Sequence, residues 1–508
     1  MINNFSQVHY YRGENMELLH QFFESLTLPY DIIWIPSAYD EPRVSTKHQT
    51  FFSYLSKTEL TDEALKKSGF SEVSSDSRWN FCCGRIVSDE LYLGSSIWQK
   101  HNHFFGSDLI GRKDEFHQRM VELRKRIGDE GISFYPHTLL LPDDFDQVTT
   151  LWNRYEMWII KPRASSKGKN IEIRKSNEKS FPPFACILQR YIDRPFLITG
   201  RKFDIRFYTL VTSVSPLVIY IHRQGLGLFA TNEYNANGDV SDLKMHITNW
   251  EINKDSDKFV RCVGLDENPN NSKWSLPFFF RYLKDCGFNS KKIQNDMECA
   301  VIKAVIAGME KIRDNHQRHT SLIRNAYEFL GIDLVLDENL NPYVLEVNVS
   351  PGMNANDSEL DHFMKIEVLL DVYNMARIVD CDPTISEPCP FFESVEKLRI
   401  IEKKRKNDVI QGIIEPWDCP TFADMMLIWD FVDEQKRRRY FHRVYPKRNN
   451  IQLFKPCFEK YSYEDIVLNK WIQMDHEKRY NVLFNNKNVL EKGLIFARET
   501  KKSSCMVN

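Results

Sequence analysis

The sequence has no cysteine pattern that would hold a metal or a redox-active disulfide. Its eleven cysteines include no CxxC pair and no cysteine–histidine spacing suited to zinc. Scattered thiols of this kind are typical of reducing compartments, so we expect an intracellular protein with free cysteines. No apolar run approaches the roughly 20 residues that a membrane helix needs. The amino terminus has no basic stretch followed by an apolar core, which predicts no secretory signal peptide.

An excess of charge of either sign is also missing. The 508 residues include 68 Lys or Arg and 70 Asp or Glu, for a formal net charge of −2. No overall field selects a partner, so attraction to a polyanion would have to come from local patches. The composition, 42% hydrophobic and 27% charged, is that of a soluble globular protein, and the length allows two or three domains.

Two common nucleotide-binding fingerprints are missing from the loop best suited to phosphate. Residues 158–173, WIIKPRASSKGKNIEI, read as strand, loop and strand, with Lys161 ending the first strand. The loop matches neither GxxxxGK[ST] nor GxGxxG. Its backbone amides and lysines could still fold over phosphates, and a basic surface hairpin is the alternative.

The kinase signatures HRD and DFG do not occur, which argues against a protein kinase.

Residues 331–348, GIDLVLDENLNPYVLEVN, predict a β-hairpin because two apolar runs flank a polar turn. A four-residue loop would place Asp333 opposite Glu346, and Asn348 would share the face of Glu346. Facing carboxylates repel unless a cation bridges them. Carboxylate and amide oxygens suit Mg²⁺ beside a nucleotide phosphate. The alternative is an acidic face that is simply hydrated.

A second charged pattern opens a long apolar strand. Alternation places Lys202, Asp204 and Arg206 on one face of that strand. Buried charges are costly unless they are paired or bound to a ligand. The pattern therefore predicts either an ion-pair ladder or a site for phosphate and metal. Residues 189–192, QRYI, end another strand and could offer backbone groups to an adenine ring.

These segments occur in the order and at about the spacing found in tubulin tyrosine ligase-like proteins. The chain resembles that family in WIIKP with its basic loop, QRYI, KFDIR, HITN and GIDLVLD…YVLEVNVSP. WNFCCG (79–84) and NHFFGSDLIGRKD (102–114) resemble its N-terminal half. KWSL (273–276) and the LDHFMK stretch resemble the polyglutamylase subgroup most. The resemblance covers about residues 75 to 380.

The resemblance implies an ATP-grasp fold in the α+β (α/β) class. It implies an N-terminal α/β domain (1–110), a central ATP-binding domain (111–195) and a C-terminal ATP-grasp domain with the metal site (196–385). A basic helical extension (386–508) would follow as a candidate microtubule-binding region.

The resemblance also implies roles for individual residues. Those that would contact ATP are Lys161, Lys167, Gly168, Gln189, Arg190, Tyr191, Ile192, Lys202, Asp204, Thr248 and Asn249. Those that would hold Mg²⁺ are Asp333, Glu346 and Asn348. Those that would hold the incoming amino acid are Trp250, Lys273 and Lys365. We add Arg206, from the face that it shares with Asp204, as a stabiliser of the transferring phosphoryl group, so that Arg206 and Lys365 are the candidate catalytic residues.

The implied reaction is the ATP- and Mg²⁺-dependent ligation of free L-glutamate to glutamate side chains of tubulin through an acyl phosphate. We expect a monomer in the cytoplasm, on microtubules that include those of the cilium or basal body, without a nucleic-acid or membrane partner.

The C-terminal region carries basic runs that would form a surface for acidic tubulin tails. They are Lys403–Lys406 and Lys436–Arg439, followed by His442, Arg443, Lys447 and Arg448. A solvated helix face is the alternative.

Three departures from the family pattern concern substrate binding. Residues 167–170, KGKN, replace a leading arginine and a final glycine, although asparagine tolerates the positive φ that glycine would adopt. Leu228 stands where polyglutamylases carry an arginine for the donor carboxylate, and Trp250 and Glu251 replace tyrosine and serine. Losing one buried charge-assisted contact costs about two orders of magnitude in affinity. The alternatives are a different donor such as glycine, or a protein that binds nucleotide and microtubules without ligation.

Overall fold

A computed structural model describes residues 31–381 and 403–504, apart from short gaps at 46–47, 76, 97, 164–169, 178–181, 183, 320–324 and 356–357, together with residues 19, 21–23 and 25–26. Helices and strands are mixed along the whole described chain, as the predicted α+β (α/β) class requires. None of the described helices is long and apolar enough to span a bilayer.

The strands supply the framework of the molecule. In chain order they are β1 (Thr50–Tyr54), β2 (Ser71–Val73), β3 (Phe81–Gly84), β4 (Lys100–His101), β5 (Thr138–Leu141), β6 (Met157–Pro162), β7 (Glu172–Lys175), β8 (Cys186–Arg190), β9 (Phe203–Val214), β10 (Leu217–Phe229), β11 (Lys273–Ser275), β12 (Glu328–Leu336), β13 (Pro342–Asn348) and β14 (Phe441–Tyr445).

The helices pack on and between the sheets. In chain order they are α1 (Glu59–Lys67), α2 (Asp89–Leu93), α3 (Asp108–Gly111), α4 (Lys113–Gly131), α5 (Phe145–Leu151), α6 (Leu243–His246), α7 (Trp250–Asn253), α8 (Leu276–Asp285), α9 (Ser290–His319), α10 (Glu359–Ala376), α11 (Lys403–Ile410), α12 (Phe422–Arg437), α13 (Ile451–Phe454), α14 (Tyr463–Gln473), α15 (His476–Asn485) and α16 (Lys487–Ser504). Short 3₁₀ turns cover Trp152–Arg154 and Lys455–Cys457.

Three sheets succeed one another along the chain. The first is parallel, with the order β2-β1-β3-β4. The second is antiparallel, with the order β5-β8-β6-β7. The third and largest is antiparallel, with the order β11-β10-β9-β12-β13, and β14 pairs with another part of β10. The first three predicted domains each contain one sheet, and their boundaries stay predictions.

The two faces of β9 have different surroundings. Phe203 and Phe207 are buried in a cluster that also contains Ile306 of α9, and burying an apolar side chain of this size stabilises the fold by roughly 1.5–3 kcal/mol. Alternate residues of a strand face opposite sides. Asp204 and Arg206 therefore face the other side of the sheet.

Helix α10 covers that charged face of the third sheet. Its Leu360 and Met364 belong to the same buried cluster as Leu226 of β10. The helix begins after Ser358, whose hydroxyl oxygen accepts a hydrogen bond from the backbone N–H of Asp361, as an N-cap does. Packing and capping together fix which side chains of the first turn of α10 meet the sheet.

The C-terminal region was expected to be a helical extension, and it is integrated into the fold. Strand β14 lies within it and joins the central sheet through β10. Helix α12 carries a capping box of Thr421 and Asp424. A buried ion pair joins Arg313 of α9 to Asp465 of α14 at 3.0 Å. The predicted boundary at 385/386 lies outside the described residues.

The basic runs that were expected to form a docking surface are partly used inside the fold. Arg437 is 6% exposed and donates to the backbone oxygen of Ile33 at 2.8 Å. Arg439 pairs with buried Asp371 at 3.0 Å, and Arg405 pairs with a buried aspartate of α12 at 3.1 Å. Among the described side chains of these runs, the exposed ones are Lys404, Lys436 and Arg448. Arg437 is therefore lost to a basic surface, while the other described side chains of these runs are exposed or partly exposed, and a role of this region in microtubule binding stays a prediction.

Candidate active site

The β12–β13 hairpin is present, and Asp333 lies opposite Glu346 in its ladder, as predicted. The connecting loop has five residues rather than the predicted four, because β12 ends at Leu336 and β13 begins at Pro342. An irregularity in the register between Asp333 and Leu334 absorbs the extra residue and restores the pairing. The ladder also pairs Asn348 with Gly331.

The three hairpin side chains converge on one point. The amide nitrogen of Asn348 lies 3.3 Å from a carboxylate oxygen of Asp333 and 3.1 Å from one of Glu346. Turning that amide by 180° would present its oxygen instead, since amide orientation is an assignment. Within the described chain no group of three His, Cys, Asp or Glu side chains is placed to hold a metal ion. The hairpin offers two carboxylates and one amide, which are oxygen ligands of the kind that Mg²⁺ takes beside phosphates.

Arg206 holds one of the two carboxylates firmly. Its Nε and Nη2 donate to the two oxygens of Asp333 at 2.7 and 2.6 Å. Such two-bonded pairs fix geometry as well as charge. Burial raises the pKa of Asp333 against the opposing pull of Arg206. Burial also works against ionisation of Glu346, but Lys113, Lys161 and Arg206 outweigh it and lower the pKa of that carboxyl group.

A narrow cleft lies between the second sheet and the hairpin. Lys161 and Gln189 line one side, Glu346 and Asn348 the other, and Lys113 of α4 lies between them. The ammonium nitrogen of Lys161 donates to Gln189 at 2.9 Å, and that of Lys113 lies 3.6 Å from a carboxylate oxygen of Glu346. The two lysines give the cleft a positive lining that attracts phosphate groups.

An apolar patch continues the cleft along the face of β6 that carries Lys161. Met157 and Ile159 lie on the same face of the strand as Lys161, because every second residue points to the same side. They pack with Ile173 and Tyr191. The phenol oxygen of Tyr191 lies 3.0 Å from Nδ1 of His246. The guanidinium of Arg190 lies over the ring of Tyr155, 5.1 Å from its centre. Ile192 is buried. An apolar patch next to a lysine can accept a nucleotide, with the flat nucleobase on the patch and the phosphates at Lys161.

The charged face of β9 carries Asp204, and the charges of Asp204 and the preceding Lys202 act on Lys161. Lys202 donates to one oxygen of Asp204 at 3.0 Å, and the hydroxyl of Thr248 donates to the other. Asn249 caps α7, since its side-chain oxygen accepts from the backbone N–H of Glu251 at 2.9 Å. The loop that carries Thr248 and Asn249 is therefore fastened to β9.

The residues expected at the donor amino acid lie together beneath α10. Lys273 and Lys365 both approach one carboxylate oxygen of Asp361, at 3.5 and 2.9 Å. Lys365 also donates to the backbone oxygen of Asn354 at 2.6 Å. The ammonium of Lys273 lies 5.7 Å from the ring of Trp250, which is within the range of a cation–π contact. Burial lowers the pKa of Lys365.

Two of the departures from the family pattern take a defined place in this geometry. Leu228 pairs across the sheet with Asp204 on one side and Lys273 on the other, so it faces the site without supplying a charge. Glu251 pairs with Lys254 at 2.7 Å. The negative charge of Glu251 is therefore partnered, which weakens its repulsion of any other carboxylate nearby.

Four of the predicted residues, Lys161, Gln189, Glu346 and Asn348, line one cleft, and the structure adds two site residues that the sequence did not reveal. Lys167 and Gly168 lie outside the described residues, and Asn170 has the positive φ, 56°, that was expected of it. Lys113 was missed, although the RKD motif that contains it had been noted. Asp361 was missed too, although it precedes Lys365 by four residues, the spacing of one helix face.

Comparisons with known proteins agree with this geometry. A sequence model of the tubulin-tyrosine ligase family matches residues 91–385. The chain is 29% identical over 450 residues to the tubulin monoglutamylase TTLL4 of Mus musculus, over 82% of this chain and 37% of that protein. It is 35% identical over 399 residues to the tubulin polyglutamylase TTLL6 of Homo sapiens, over 75% of this chain and 44% of that protein. The chain spans less than half the length of these curated relatives.

Proposed function

This chain belongs to the tubulin-tyrosine ligase family, and we propose that it is an ATP-dependent ligase that joins glutamate to glutamate side chains of tubulin. The observation that carries the proposal is the convergence of Asp333, Glu346 and Asn348 beside a cleft that Lys161 lines from the other side. The names of its relatives, tubulin monoglutamylase and tubulin polyglutamylase, support tubulin as the substrate and the microtubule cytoskeleton as the place of action.

The reaction must first activate a carboxylate, which is a poor electrophile. The acceptor carboxylate oxygen attacks the γ-phosphorus of ATP, so that an acyl phosphate forms and ADP leaves. Lys161 and Lys202 would neutralise charge on the triphosphate, and Arg206 would face the charge that develops on the transferring phosphoryl group. Asp333, Glu346 and Asn348 would hold Mg²⁺, which when bound neutralises phosphate oxygens.

The second step forms the new bond. The uncharged amino group of the donor attacks the acyl carbon, the bond to phosphate breaks, and an isopeptide bond and inorganic phosphate result. Lys273 and Lys365 would hold the donor by its carboxylates beside this carbon. No covalent enzyme intermediate is needed, so the chain's own residues act by binding, orienting and neutralising charge.

A smaller donor is the second candidate, and Leu228 favours it. At that position the family's arginine would bind the donor's carboxylate, whereas a leucine cannot. Trp250 adds bulk next to Lys273, which would suit glycine. The test for the function therefore has to include several amino acids.

The test incubates the purified chain with tubulin, ATP, Mg²⁺ and a panel of labelled amino acids. We expect glutamate, and not glycine, to be transferred to tubulin by the wild type. Glu346→Gln should lose at least about 100-fold in rate because a ligand of the metal is gone. Glu338→Gln, the same change at the exposed tip of the hairpin, is the matched control and should transfer normally. Tight ATP binding without transfer of any amino acid would contradict the proposal.

A further inference from the structure

Asp361 is enclosed between two lysines on the covered face of the central sheet. Its side chain is 2% exposed, and one of its oxygens, Oδ2, lies 2.9 Å from the ammonium of Lys365 and 3.5 Å from that of Lys273. Lys365 follows on the same face of α10, one turn later. Lys273 comes from β11 at the edge of the sheet. The group carries two positive charges and one negative charge.

The other carboxylate oxygen of Asp361, Oδ1, has no hydrogen-bond donor anywhere in the part of the chain that the structure describes, although it is shielded from solvent. Buried acceptors almost always have a donor, because leaving one unmet is unfavourable. The side chain of Lys273, which is 14% exposed, connects this group to the solvent side of the cleft. An N–H donor from outside the described residues is the missing partner that the arrangement accommodates.

We propose that Oδ1 of Asp361 receives the α-ammonium group of the donor amino acid while Lys273 and Lys365 bind its carboxylates; this inference rests on the ligase function proposed above. Glutamate carries two carboxylates and one ammonium at neutral pH, so every charge of this donor meets an opposite charge. Glycine carries one of each and leaves one lysine without a partner. Complementary charge of this kind gives specificity.

The proposal also accounts for a glutamate donor in a chain that has Leu228. The missing arginine removes one cation from the sheet. Lys273 and Lys365 still supply one cation for each carboxylate, and Lys273 pairs with Leu228 in the ladder. Asp361 is then a binding and positioning residue that turns the donor's nitrogen toward the reaction. If Asp361 only held the two lysines in place, its loss would weaken every anionic ligand alike.

Calorimetry on the intact chain with Mg²⁺ and a non-hydrolysable ATP analogue tests the proposal. The ligands are L-glutamate and glutarate, which differ only in the α-amino group. We expect the wild type to bind glutamate at least about tenfold more tightly than glutarate. Asp361→Asn should abolish this preference and bind glutarate as well as or better than the wild type, because a negative charge is gone from between the lysines. Glu359→Gln, an exposed carboxylate on the same turn, should behave like the wild type.

Thermal stability and affinity for the ATP analogue check that each variant is folded, and Asp361→Ser is a second variant should the asparagine not be tolerated. Equal weakening of both ligands in these variants would overturn the inference, as would a wild type that binds glutarate as tightly as glutamate. In both cases glutamate transfer to tubulin would persist, so the ligase function would stand. A wild type that binds neither ligand and transfers no glutamate would refute the proposed donor and, with it, this role of Asp361.

Discussion

The two hairpin carboxylates hold different positions at the scale of single residues. Asp333 is 13% exposed and fully engaged by Arg206 through two hydrogen bonds. Glu346 is 32% exposed and lies 3.6 Å from Lys113. Asp333 is therefore fixed by the protein, whereas Glu346 is the carboxylate more open to an incoming cation. This difference predicts different costs when each carboxylate is removed.

Asp333→Asn should destabilise the protein more than Glu346→Gln does. The first change leaves the guanidinium of Arg206 without its acceptor, at a cost of about 3 kcal/mol. The second removes a part-exposed charge, at a cost of about 1 kcal/mol or less. Urea unfolding of both variants measures the difference. Equal losses would contradict the distinction between a fixed and an open carboxylate.

The pH dependence of nucleotide binding should report on Lys161. Burial lowers the pKa of Lys161 to about 8; Glu346 and Asp204 raise it, whereas Lys113 and Lys202 lower it. The ammonium form binds phosphate, so affinity for ATP is full below this pKa and is lost as the pH rises through it. Between pH 7 and 9 we expect a decrease of up to about tenfold, measured by calorimetry.

Lys161→Arg is the matched control for this pH dependence. An arginine stays protonated throughout the range, so the variant should bind ATP with little change between pH 7 and 9. A slope equal to that of the wild type would assign the titration to another group.

At the scale of elements, the hairpin shows what a sequence pattern can and cannot give. Alternation and the polar turn predict the pairing of Asp333 with Glu346, and that pairing is confirmed. They do not predict the bulge, which allows Val344 to face the core while Glu346, two residues later, faces the site. A four-residue loop and a five-residue loop with a bulge give the same pairing, so the sequence alone could not separate them.

The donor end of the site depends on contacts between distant elements, and this is why Asp361 and Lys113 were missed. Helical spacing relates Asp361 to Lys365, but only the pairing of β11 with β10 brings Lys273 to them. Lys113 is the first residue of α4. Its approach to Glu346 is a tertiary contact that periodicity does not encode.

The inward use of the basic run in α12 leads to a prediction at the same scale. Arg437 donates to the backbone of Ile33, pairs with Asp433 and lies over the ring of Trp34. Arg437→Met should therefore lower the free energy of unfolding by about 3 kcal/mol. Lys436→Met, at the exposed neighbouring position, should change it by no more than about 0.5 kcal/mol. Thermal unfolding of both variants measures the difference. If the two variants were equally stable, Arg437 would be no more important to the fold than an exposed lysine.

At the scale of the whole molecule, the region that begins at residue 403 completes the third sheet. Strand β14 covers part of β10, and the hydroxyl of Ser215, next to β10, donates to the buried carboxylate of Glu464 at 2.9 Å. Val467 and Trp471 of α14 share a buried cluster with residues of α10. Composition favoured a separate basic extension, because the sequence does not show whether a lysine or arginine faces solvent or pairs with a buried carboxylate.

A chain that ends at residue 402 should therefore not fold. Removing 403–508 exposes the edge of β10 and the apolar surface of α10, so we expect insoluble protein or protein without a cooperative unfolding transition. Co-expression of the 403–508 fragment should restore solubility if the two parts associate. A soluble 1–402 chain with wild-type affinity for ATP would contradict this view of the C-terminal region.

A crystal structure of the full chain with Mg²⁺ and a non-hydrolysable ATP analogue tests the central claim most directly. We predict a metal ion about 2.0–2.1 Å from oxygens of Asp333, Glu346 and Asn348, with the phosphates contacted by Lys161 and Lys202. A nucleotide bound outside this cleft, or a metal ion that contacts none of the three hairpin side chains, would contradict the claim.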